Sequence, residues 1–84
     1  MKESVLKIKS YEFAIRIVKL EQFLCREKKG FVLSKQILKS GTAIGDLIRE
    51  AEFAQSKADF TNKMNIALKE ANETIYWLEI LRDI

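Results

Sequence analysis

Histidine and proline are absent from the 84-residue sequence, cysteine occurs once, and glycine only three times. Without histidine there is no imidazole base, no Ser-His-Asp triad and no Glu-x-x-His di-iron motif of the kind that helix bundles carry. The single Cys25 excludes an internal disulfide and a thiolate zinc site within one chain. Its spacing to Tyr11, Ala14 and Val18 suits a core position, in keeping with a reducing, cytoplasmic setting. The first ten residues hold four charges and no long apolar run, so no signal peptide is expected there. Nowhere do apolar residues run unbroken for the roughly 20 positions that a membrane span needs. Gly41 and Gly45 do not make a phosphate loop, since neither the preceding strand nor the lysine is present. With few helix breakers and abundant Leu, Ile, Lys, Glu and Ala, what remains is an all-α chain. At this size it is one domain, residues 1–84, with a core that is marginal on its own.

The periodicity predicts an up-down bundle of three long antiparallel helices, over about 10–28, 32–54 and 57–82. Residues 1–9 read as an extended lead-in, and Ser10 as the cap of the first helix. That helix has two stripes: Tyr11, Ala14, Ile15, Val18 and Cys25 on one side, Phe13, Ile17, Leu20 and Leu24 on the other. Lys28-Lys29-Gly30 is the expected turn, with glycine at the C′ position. In the second helix Leu33, Ile37, Ile44, Leu47, Ile48 and Ala51 stay in phase across Gly41 and Gly45. Phase continuity favours one unbroken helix over a break near Lys39–Thr42. The glycines, with Ser34 and Ser40, form a smooth surface for close helix packing. The third helix opens with an S-x-x-D capping box, Ser56 to Asp59. Its main stripe is Phe60, Met64, Ala67, Ala71, Ile75 and Leu78, and Ile66, Trp77 and Ile80 form a second. One partner cannot cover both stripes, so this helix is expected either to lie between several others or to meet another subunit.

Charge divides the chain unevenly. Residues 1–39 hold ten Lys/Arg against four acids, and residues 40–84 hold five against eight. The basic set Arg16, Lys19, Arg26, Lys28, Lys29, Lys35 and Lys39 is the candidate nucleic-acid surface, and Arg26, Lys28, Lys29 and Lys35 of it cluster where the first two helices meet. The plainer reading is a solvated, mixed-charge face. Glu70 and Glu73 share a face of the third helix and form the one candidate pair of catalytic carboxylates; structural ion pairing or a subunit seam explains them equally simply. Tyr76 and Trp77 can stack on bases, though aromatics at helical spacing usually anchor packing. No metal, no cofactor and no enzymatic activity are expected.

KSYEFAIRIVKL at 9–20, VLSKQILKSGTAIGDLIREAEFAQS at 32–56 and DFTNKMNIALKEANETIYWLEIL at 59–81 together resemble the four-helix-bundle family of 23S rRNA intervening-sequence proteins. The resemblance implies a small bacterial protein whose up-down-up-down bundles assemble into a ring-like homopentamer. A related accessory protein of diversity-generating retroelements holds nucleic acid on a basic pentameric barrel. The family has no established catalytic residues to carry over. By resemblance Gly41 and Gly45 belong to the small-residue core of the second helix, and Glu70, Glu73, Tyr76 and Trp77 to a hallmark of the third. Since the sequence ends at Ile84, the fourth helix is expected to be short or absent. Phe13, Ile17, Leu20, Leu24, Ile66, Glu73, Trp77 and Ile80 are then the candidate oligomer interface. The expected function is a non-enzymatic, self-assembling bundle that binds RNA or other nucleic acid through the basic surface; the alternative is a scaffold for a protein partner.

Overall fold

The computed structural model describes residues 4–27 and 31–84, and all of its regular structure is helical. Helix α1 spans Val5–Arg26, α2 spans Phe31–Glu52 and α3 spans Lys57–Asp83. The Lys28–Gly30 turn lies outside the described residues, as does the side chain of Phe31.

The first helix starts earlier than its sequence suggests. Ser4 is its cap, with Oγ accepting from Lys7 N at 3.3 Å. Tertiary contact overrides the local signal: Lys7 reaches Glu52 at the end of α2, Nζ to Oε1 2.9 Å, and holds the extra turn in place. Ser10 is not a cap. It is buried against α2, and its hydroxyl donates to the Lys7 carbonyl. Ser56 does cap α3, accepting from Asp59 N at 3.0 Å. The reciprocal arm differs from a standard box, because Asp59 Oδ2 accepts from Gln55 N, one residue before the cap.

Helix α2 is unbroken through both glycines, and it is the helix between the others. It packs against α1 on one side and α3 on the other. Among the described residues no Cα of α1 comes within 8 Å of a Cα of α3. The position between the others, one of the two alternatives expected for the third helix, therefore belongs to the second. Its smaller side chains are the reason: Gly41, Ser34 and Ser40 let two neighbours approach, whereas α3 carries bulky residues on both flanks. At Gly41 the fit is close, since an added Cβ would lie 2.9 Å from both Cγ1 and Cγ2 of Ile17.

Across the α2–α3 seam the buried hydroxyls of Ser40 and Thr74 lie 2.9 Å apart. Ser40 donates to the Gln36 carbonyl at 2.9 Å, and the Thr74 hydroxyl lies 2.8 Å from the Glu70 carbonyl, so the seam's polar groups are satisfied without water. Ile17, Leu24, Ile37, Ile48, Ala51 and Ala67 complete the buried apolar core. Three helices joined only through the middle one make a slab, 43 × 22 × 16 Å.

Candidate nucleic-acid interface

The two stripes of α1 have different fates. Ile17 and Leu24 are buried within the chain, and Phe13 and Leu20 are half-buried beside them. Ile17 and Leu24, expected at an oligomer interface, are thus used in packing α1 onto α2. The opposite stripe, expected to contain core positions, faces outward: Ile8, Tyr11, Ile15 and Val18 are all exposed, and Cys25 is half-buried. Two stripes of similar hydrophobicity compete for α2, and only one of them meets its glycines. The Cys25 thiol donates to Glu21 Oε2 at 3.1 Å. This bond, with burial and the carboxylate charge, holds its pKa above the usual thiol value against the opposing effects of Ser34 and Lys35.

Between the stripes, the outer arc of α1 carries Arg16, Lys19 and Arg26, all exposed. No carboxylate pairs with any of them among the described residues. Exposed Phe23 sits in the same arc. Lys39 does not join this surface: two residues from Gly41, it points about 160° away from α1. Lys35 is placed near Cys25, where its charge lowers the thiol's pKa. Lys28 and Lys29 lie outside the described residues. The basic set is therefore split over two helices, with its coherent part on α1.

Next to this arc, α1 and α2 form a cleft of about 210 Å³, lined by Lys7, Tyr11, Thr42, Gly45, Asp46 and Arg49 among others. The Arg49 guanidinium lies over the Tyr11 ring, 5.3 Å from its centroid. The pairing was not foreseen from sequence, because Tyr11 fits a core stripe and Arg49 reads as an isolated surface charge. Thirty-eight positions separate them, and only the α1–α2 register brings them together.

The other flank of the slab is apolar. Leu6 of α1, Ile44 and Ile48 of α2, and Met64, Leu68 and Ala71 of α3 line a groove over the middle helix. It continues toward the far end between Phe13, Arg16, Ile17 and Leu20 on one wall and Leu78 on the other, so Arg16 borders this groove. On the opposite flank of α3, Ile66, Glu73, Trp77 and Ile80 are half-buried. Glu70 and Glu73 make no ion pair among the described residues. Trp77 Nε1 is buried with no acceptor among the described residues, and its ring meets exposed Tyr76 edge-on at 5.1 Å. No group of three His, Cys, Asp or Glu suited to a metal ion occurs among the described residues, and none of their helices is long and apolar enough to cross a membrane.

Residues 2–84 match the family described as 23S rRNA-intervening sequence protein. The chain belongs to that family. Its three helices also superpose, with a TM-score of 0.89 and 71% identity, on a crystal structure from Bacteroides thetaiotaomicron. That neighbour is described as a protein of unknown function from the S23 ribosomal protein family. The match covers 92% of this chain and 71% of the neighbour's, so about 30 residues of the neighbour lie outside it, enough for a further helix. A search of curated proteins finds no match. Family membership thus agrees with the resemblance carried by the SKQ-x-L-x-SGT-x-IG and KEA-x-ET-x-YWL runs.

Proposed function

We propose that this family member is a non-enzymatic, cytoplasmic bundle that assembles with further copies of itself and binds single-stranded RNA along the outer arc of α1. The observation that carries the RNA reading is the mixture on that arc. Arg16, Lys19 and Arg26 are exposed without carboxylate partners among the described residues, exposed Phe23 stands among them, and exposed Tyr11 lies on the neighbouring stripe. Unpaired cations supply phosphate attraction through counterion release, and interspersed aromatic faces accept bases without reading their sequence. Assembly is supported by the apolar groove between α1 and α3, whose burial takes in the edge at Arg16 and leaves Lys19 and Arg26 in solvent. In a symmetric assembly the arc repeats in every copy, and weak contacts add through multivalency.

The test combines light scattering with fluorescence-anisotropy titration of a labelled 12-mer RNA at two salt concentrations. Wild-type protein should run as an oligomer and lose affinity steeply as salt rises. Arg16→Glu with Lys19→Glu should weaken binding at least tenfold at low salt, in line with the loss of two phosphate contacts, and Lys19→Glu alone, away from the groove, should weaken it without changing the mass. Absence of RNA binding at low salt overturns the reading. A monomer that still binds RNA overturns only the assembly half.

A further inference from the structure

The two helix glycines of α2 have different neighbours. Gly41 is required by packing, because Ile17 fills the space a side chain would take. Gly45 is not. A Cβ there would meet the Ser10 carbonyl oxygen at 3.4 Å and its hydroxyl at 3.5 Å, ordinary van der Waals distances. A glycine in the middle of a helix destabilises it relative to alanine, and here helix packing gives no compensating reason. What Gly45 does is keep open the floor of the cleft that also holds Tyr11, Asp46 and Arg49.

The other walls suit one kind of occupant. Exposed Tyr11 and the guanidinium above it form a flat cationic platform. Arg49 has no carboxylate partner among the described residues, so its N–H donors are available to an anion. Asp46 is exposed at the rim and can only accept hydrogen bonds at neutral pH. A volume of about 210 Å³ is below that of drug-sized pockets and on the scale of a single flat ring with its attachments.

We infer that this cleft seats one nucleotide of the bound single-stranded RNA. The base stacks on the Tyr11–Arg49 platform, and the adjoining phosphate takes the free donors of Arg49. The ribose 2′-hydroxyl donates to Asp46, an interaction that DNA cannot make. The inference rests on the RNA reading above and gives it a defined contact point.

The discriminating variant is Gly45→Ala. It should raise the melting temperature by several degrees, because it relieves the helix, yet lower affinity for the 12-mer RNA about tenfold by narrowing the cleft, the loss expected when one stacked base is given up. Wild-type protein should bind the RNA several-fold more tightly than DNA of the same sequence, and Asp46→Ala should abolish that preference. Tyr11→Ala should weaken both nucleic acids alike, with circular dichroism confirming the fold. A Gly45→Ala protein that is more heat-stable and binds RNA like wild type overturns the inference. If the Arg16/Lys19 variant loses binding while Gly45→Ala and Tyr11→Ala do not, the cleft assignment falls and the broader RNA reading stands. If wild-type protein binds no RNA, both fall.

Discussion

Replacing Gly41 with alanine tests the packing of α1 on α2 directly. The new methyl carbon would lie 2.9 Å from Ile17 Cγ1 and Cγ2 and 3.2 Å from Cδ1. Favourable carbon–carbon contacts lie at about 3.5–4.0 Å, so α1 must retreat by roughly half an ångström or Ile17 must leave its rotamer. Overpacking of this kind costs about 1–3 kcal/mol. Alanine recovers about 1 kcal/mol through better helix propensity. The expected net loss is about 1 kcal/mol, or about 6 °C in melting temperature for a domain of this size. Because the three atoms nearest the added methyl all belong to the Ile17 side chain, the sign should reverse when those atoms are removed. In an Ile17→Ala background, Gly41→Ala should stabilise by about 1 kcal/mol, giving a coupling of about 2 kcal/mol. Urea titrations at one fixed protein concentration, followed by far-ultraviolet circular dichroism and by the single tryptophan, Trp77, measure all four proteins. The reasoning is refuted if Gly41→Ala stabilises the wild-type background, or if its effect is the same with and without Ile17.

Two further expectations concern single hydrogen bonds. Thr74→Val keeps the shape of the buried α2–α3 seam but deletes the contact to Ser40; it should cost about 1 kcal/mol in urea titration, and Ser40→Ala should cost less in that background than alone. Glu21→Gln removes the carboxylate that accepts the Cys25 proton and holds its pKa up. The thiolate fraction at pH 8 should therefore increase, and iodoacetamide should alkylate Cys25 faster than in wild type. An unchanged alkylation rate would show that Glu21 does not govern the thiol.

The helices were legible because the chain has few breakers and strong periodicity, and Ser56 announces the start of α3 with a hydrogen bond the structure contains. The start of α1 was not. Ser4 and Ser10 are both acceptable caps, and the choice is made by Lys7 reaching Glu52, a residue 45 positions away. The inward side of α1 was equally hidden. Its stripes at 8/11/15/18 and 13/17/20/24 satisfy the same periodicity, and the decision depends on which of them meets Gly41. The candidate surface suffered from the same limit: one-dimensional charge counting joined Lys39 to Arg16, whereas helix phase sets them on different sides. Tyr11 and Arg49 illustrate the general case, since neither is informative until the register of two helices is known.

Since α1 and α3 are joined only through α2, the slab has one shared helix and two outer leaves. A change in the angle between the leaves breaks no backbone-level contact between them; it only rolls each across its own seam. The groove between them can thus widen or narrow while the Ile17–Gly41 and Ser40–Thr74 contacts persist. On the α3 side a directional hydroxyl contact and the Lys63–Glu50 ion pair, 3.1 Å across, fix the helix along its length and about its axis. On the α1 side the Gly41 contact is steric, and the Lys7–Glu52 ion pair, 2.9 Å across, and the Arg49–Tyr11 contact add directional ties. Adjustment of the groove moves α1, the helix that carries Arg16 at the groove's edge and Lys19 and Arg26 beyond it. Filling the groove would then reposition the charged surface, linking assembly to whatever that surface holds.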